Sequence, residues 1–132
     1  MTKKYKNEGQ LLGWMIKNLT KKSTVAVGCK VVSSLWGKAT GLMFSSRKKV
    51  EEKSLVFVFG RSSRVGLHMF FVFYSIDVLF LDENKRVVDI KKGFKPFTLY
   101  ESGDKAKYVL EVPVGSVELS GTGLGDELCW SE

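Results

Sequence analysis

The chain has 132 residues, 44% apolar and 27% charged, with nine Phe, four Tyr, three Trp and only two Pro. That length sets one domain able to fold without a metal or disulfide staple, and the composition excludes a disordered chain. The net charge of +7 is uneven: residues 1–60 hold 12 Lys/Arg against 3 Asp/Glu, whereas residues 61–132 hold 9 against 11. The basic half, with KKYK (3–6), KK (21–22) and RKK (47–49), can attract acidic proteins, anionic lipid or nucleic acid by its field. Equally, it can simply solvate the surface.

Taken in chain order, residues 1–11 are expected to form a flexible basic N-terminus, and residues 12–132 a single β-rich domain. Segments 12–19 and 24–32 read as a hairpin of two strands around KKS (21–23). At 33–46 the spacing of Leu35, Ala39, Leu42 and Met43 predicts a short helix, weakened by Gly37 and Gly41. RKKVEEKS (47–54) reads as a charged loop, LVFVF (55–59) as a strand buried on both faces, and GRSSR (60–64) as a connector. HMFFVFY (68–74) and IDVLFLD (76–82) read as adjoining strands with a bend near Ser75. ENK (83–85) supplies a hairpin turn, RVVDIKK (86–92) a returning strand that GFKP (93–96) breaks, and FTLY (97–100) a short strand. KYVLEVP (107–113) is a further strand; 114–127 holds one helical turn and a loop, and DELCW (126–130) a last strand. Short strands close in sequence favour antiparallel pairing, so the fold class expected is α+β and β-dominated. Its architecture is either a small barrel or two packed, curved antiparallel sheets with one short peripheral helix.

The most apolar stretch, VGLHMFFVFYSIDVLFLD (65–82), carries the only histidine, His68, and an interior carboxylate, Asp77. A carboxylate there is costly unless a cation or backbone N–H groups meet it. Arg61 and Arg64 lie just before the strand and His68 could also answer it, and hydrogen bonding to the backbone at the Ser75 bend is the structural alternative. The functional reading makes His68, Asp77 and Arg64 the polar corner of an apolar cleft lined by Leu42, Met43, Phe70 and Tyr74.

Common catalytic and metal-binding patterns are missing. One histidine and two distant cysteines, Cys29 and Cys129, do not build a zinc site, and no metal or cofactor is implied. Those cysteines read as free thiols. There is no G-x-S-x-G elbow, and GTGLG (121–125) neither follows a strand nor opens a long helix as a phosphate loop does. The aromatics lie in apolar strands and the basic residues in loops, which disfavours a nucleic-acid partner. No signal or membrane-spanning segment is read, so a cytoplasmic location is the default expectation.

The ordered set ATGLMF (39–44), LVFVF (55–59), RVGLHMFFVFYSIDVLFLD (64–82), RVVDI (86–90), KPF (95–97), YVLEVPVG (108–115) and GTGLGDEL (121–128) resembles the small prokaryotic family grouped as domain of unknown function 192. The resemblance runs from about residue 12 to residue 130. It implies a compact β-rich domain with a small helix and imports no activity. Members of that family usually place a basic residue directly after GLM or one position on, whereas here Phe44, Ser45 and Ser46 precede Arg47. Three functions are therefore carried forward. The first is a module binding a small ligand or a partner. The second is a basic surface docking an acidic protein or nucleic acid. The third is an enzyme with a His68/Asp77 acid–base pair.

Overall fold

A computed structural model gives the fold and describes residues 15–33, 47–69 and 72–131, apart from the side chains of Arg47 and Glu52. The helix expected at 33–46, the basic N-terminus, and candidate residues Leu42, Met43 and Phe70 lie outside the described residues. Strands β1 (Ile16–Asn18), β2 (Ser23–Ala26) and β10 (Leu128–Trp130) form a three-stranded sheet in the order β10-β1-β2. Strands β3 (Cys29–Val32), β4 (Ser54–Ser63), β6 (Ile76–Leu81), β7 (Val87–Phe94) and β9 (Ala106–Pro113) form a larger sheet in the order β3-β4-β9-β6-β7. A separate ribbon pairs β5 (Gly66–His68) with β8 (Leu99–Glu101). Two helices are described, α1 (Arg47–Glu52) and α2 (Ser116–Ser120). The domain is thus β-dominated, with packed sheets; no sheet among the described residues closes into a barrel.

The five-stranded sheet has an apolar layer on each face, because its central strands alternate side chains between two cores. Leu55, Phe57, Val78, Phe80 and Val109 point into the first, where Val50 of α1 and the segment holding Val65, Met69, Val72 and Tyr74 cover them. Val56, Leu79, Leu81, Leu110 and Val112 point into the second, where Ile16, Val25, Val117 and Leu128 cover them. Pairing is antiparallel except between β3 and β4, which run parallel. A parallel neighbour needs a crossover connection, and α1 lies between β3 and β4 in the chain.

Several expectations are corrected. RKKVEE is helix rather than loop: straight-chain Lys, Glu and Arg favour helix, and the single apolar residue Val50, 1% exposed, anchors it. The extended run β5 ends at His68, and of the residues expected to continue it the described ones, Met69 and 72–74, are not strand. Beyond it Phe97 N–H and Val72 N–H both donate to Met69 O (2.7 and 3.2 Å), turning the chain over the first core. The segment is apolar because it lids that core, with Met69, Val72 and Tyr74 buried and Phe73 63% exposed. Segment 24–32 splits at Val27 and Gly28 into strands of different sheets. β4 runs through GRS to Ser63, and β7 continues through Gly93 to Phe94.

The last loop closes the three-stranded sheet with a buried polar network. Asn18, 1% exposed, donates from Nδ2 to Thr122 Oγ1 (2.9 Å) and Asp126 Oδ2 (3.0 Å), and its Oδ1 accepts Lys21 N–H (2.8 Å). Asp126 also receives Lys21 Nζ at 2.7 Å and Gly123 N–H at 3.0 Å. Burial pushes the Asp126 carboxyl up, but Lys21, Asn18 and Gly123 together outweigh it and hold the group below the usual carboxylate range. Asn18→Ala leaves these partners unmet and is expected to cost about 2 kcal/mol in urea unfolding. A loss under about 0.5 kcal/mol would show that the network contributes little.

Candidate functional site

The β5–β8 ribbon lies against the first core through alternate residues. Leu67 and Tyr100, paired in register, face inward and pack on that core. The Tyr100 ring meets Phe80 at 5.8 Å and Phe94 at 6.3 Å between centroids. Its hydroxyl donates to Asp89 Oδ2 (2.7 Å), which also accepts Gly103 N–H (2.8 Å). That bond to Asp89, then burial, raises the tyrosine pKa. The ring is therefore fixed in both position and tilt.

The opposite pairs, Gly66 with Glu101 and His68 with Leu99, face outward. They border an open cleft of about 490 Å³ lined by Gly66, Leu67, His68, Leu99, Tyr100 and Glu101. Leu99 is 69% exposed at this cleft. Two residues before Leu99 in the chain, Phe97 meets Phe73 edge to face at 5.4 Å, and the two are 50% and 63% exposed. Phe97 adopts φ +59°, a left-handed conformation that costs a bulky side chain on the order of 1–2 kcal/mol. Its N–H, held 2.7 Å from Met69 O, maintains that conformation.

The candidate residues separate. His68 is exposed at the cleft, and exposed Arg64 precedes β5 by two positions. Tyr74 is 4% exposed inside the first core. Asp77 is 1% exposed in β6, on the face opposite Ile76 and Val78. Its Oδ1 accepts Gly93 N–H at 3.0 Å, and its Oδ2 accepts Gly115 N–H at 3.0 Å and Val117 N–H at 3.1 Å. None of these partners is His68, Arg64 or the backbone at Ser75.

One residue escaped the sequence reading. Glu111, in the central strand β9, pairs in register with Leu55 and Val78 and shares their face. It is 8% exposed, and among the described residues no hydrogen bond or ion pair reaches its carboxylate. Burial alone pushes its pKa up to about 7. A signal was present in YVLEVP, a charged residue inside an apolar strand, but alternation there equally predicts a solvent-facing side chain.

Comparison with known proteins agrees with this architecture. The profile of the DUF192 family, described as "Uncharacterized ACR, COG1430", matches residues 16–130. The chain is 34% identical over 118 residues to a UPF0127 protein of Thermococcus sibiricus, covering 88% of this chain and 74% of that one. It is 36% identical over 118 residues to UPF0127 protein PH1112 of Pyrococcus horikoshii, covering 88% and 98%. A crystal structure of a protein of unknown function from Novosphingobium aromaticivorans shares the fold at a TM-score of 0.76 and 19% identity, covering 89% of this chain and 83% of that one. Among the described residues no helix is long and apolar enough to cross a membrane.

Proposed function

The chain belongs to the DUF192 family, described as uncharacterised, and on that footing we propose that it is a binding module for a small ligand with an apolar body and a polar head. The observation that carries the reading is the cleft on the β5–β8 ribbon. Its volume of about 490 Å³ is of the size that small ligands fill. Leu99, 69% exposed, supplies apolar surface; His68 and Glu101 supply the polar groups. A strained backbone such as that at Phe97 is concentrated at functional sites, where it preorganises a side chain. Arg64, on the approach to β5, is a second candidate for the polar head. In this reading Asp77 serves the fold rather than the ligand.

A thermal-shift screen of small molecules tests it, because a ligand that binds only the native state raises the melting temperature. Leu99→Ser alters an exposed side chain and is expected to change stability by no more than about 0.5 kcal/mol, and the protection of His68→Ala is read against its own unliganded melting temperature. A compound that protects the wild-type protein by several degrees should protect both variants far less. Equal protection of all three proteins would place the site elsewhere. Salt-sensitive retention on nucleic acid, lost when Lys48 and Lys49 are neutralised, would favour the basic-surface reading instead.

A further inference from the structure

At one end of the five-stranded sheet the β4–β9 ladder opens. Val58 pairs with Tyr108 and Ser63 with Ala106, so the residues 59–62 oppose Lys107 alone. This is an extended β-bulge, a device that re-aims side chains and recurs beside functional sites. Lys107 fixes its shape by donating from Nζ to Gly60 O at 3.0 Å. The two chains stay together past the bulge: Val65 N–H donates to Ser102 Oγ (2.9 Å), and that hydroxyl donates to Asp104 O (2.7 Å).

This geometry gathers four cations. Arg61 lies in the bulge opposite Lys107, and Arg64 and Lys105 stand one position beyond the Ser63–Ala106 pair. Arg61, Arg64 and Lys105 are exposed, and Lys107 is half-buried. Like charges that face each other across a ladder destabilise it, and here two such pairs lie side by side. Asp104, the carboxylate adjoining Lys105 in the chain, accepts the Lys105 backbone N–H at 2.8 Å. Approach is open as well: a methyl group placed on Gly60 would meet nothing within 4 Å among the described residues.

From this arrangement we propose that the bulged end of β4 and β9 binds a compact oligophosphate, the diphosphate or triphosphate group of a small molecule. A bound polyanion turns the repulsion between the facing cations into attraction. The two guanidinium forks match phosphate oxygens bidentately, and the two ammonium groups add point charge. Arg61 and Arg64 are about 10 Å apart along the strand, and facing residues are about 5 Å apart across it. A single phosphate therefore reaches one pair, whereas a chain of two or three spans both. An extended acidic peptide fits less well, because its side chains on one face recur only about every 7 Å. Phe59, the aromatic residue of the bulge, packs against the first core and does not offer its face to a nucleobase. Only Arg64 is shared with the cleft reading, and the site does not depend on that reading.

The probe is sodium tripolyphosphate, measured by calorimetric titration and melting temperature against sodium chloride at matched ionic strength. Tripolyphosphate should raise the melting temperature of the wild type beyond the chloride reference. Arg61→Gln/Lys105→Gln, which removes one cation from each facing pair, should bind it at least about tenfold more weakly. In chloride alone this variant should melt no lower than wild type, because it loses a repulsion; a clear drop would count against the site. Lys48→Gln/Lys49→Gln on α1 removes the same charge elsewhere and should keep the affinity within about twofold. Adenosine triphosphate should bind about as well as tripolyphosphate, and a large gain would add the nucleoside to the ligand. Equal weakening in the α1 variant would reduce the effect to overall net charge and overturn the proposal. Unchanged affinity in Arg61→Gln/Lys105→Gln, or tighter binding of a single-stranded oligonucleotide, would overturn it too. The cleft variants His68→Ala and Leu99→Ser should bind tripolyphosphate as wild type does, so either site can fail without the other.

Discussion

Asp77→Ala is expected to lower the unfolding free energy by about 4 kcal/mol and the melting temperature by about 15 °C. The size follows from what its two oxygens hold. In the β6–β7 ladder Ile76 pairs with Phe94 but Val78 pairs with Lys91, so Lys92 and Gly93 together oppose Asp77. This is a β-bulge, with Gly93 in the left-handed region at φ +60°. The bulge takes Gly93 N–H out of the ladder, and Asp77 Oδ1 accepts it. The other oxygen acts on the chain beyond β9. Helix α2 has Gly115 at its N-cap, which has no side chain to accept the first N–H groups. Asp77 Oδ2 supplies that function from a different strand, accepting Gly115 and Val117 N–H. Truncation would strand three donors at once, each worth on the order of 1–3 kcal/mol when buried and unmet. Asp77→Asn should recover only part of the loss, because its amide NH2 faces donors. A urea midpoint within experimental error of wild type for Asp77→Ala would refute this account.

That role also marks how far the sequence could be read. The strands at 55–59, 76–82 and 107–113 were legible because short stretches rich in Val, Leu, Ile and Phe are bounded by turn residues. The turn after β6 was legible because Asp82 Oδ1 accepts Asn84 and Arg86 N–H, local chemistry that Asp-Glu-Asn announces. Asp77 stood out as a buried carboxylate, but its partners were not foreseeable. They lie 16, 38 and 40 residues away in sequence and are backbone groups, so no side-chain type advertises them. The run 68–74 misled for the opposite reason. A lid over a core and a central strand are equally apolar; only the turn bonds to Met69 O distinguish them. At the candidate cleft, His68 was legible as the lone imidazole. Leu99 and Glu101 were not, because register rather than spacing brings β8 beside β5.

Glu111→Gln is expected to stabilise the protein at alkaline pH, an outcome opposite to that of most substitutions in a buried strand. The sign follows from proton linkage. An ordinary glutamate, as in the unfolded chain, has a pKa of 4.5, whereas folding raises that of Glu111 to about 7. Between these values the folded state holds more protons than the unfolded one, so wild-type stability falls as pH rises. The favourable contribution is complete below pH 4.5 and is lost as pH passes through about 7. The interval corresponds to about 3.5 kcal/mol, at about 1.4 kcal/mol per pH unit. Glutamine stays neutral throughout, so the variant should match wild type near pH 4 and exceed it by up to about 3.5 kcal/mol at pH 8. The decisive measurement is unfolding free energy against pH for both proteins, where the curves should diverge upward from pH 4.5 and run parallel above about pH 7.5. Parallel curves across the whole range would mean that water or another donor already compensates the ionised group.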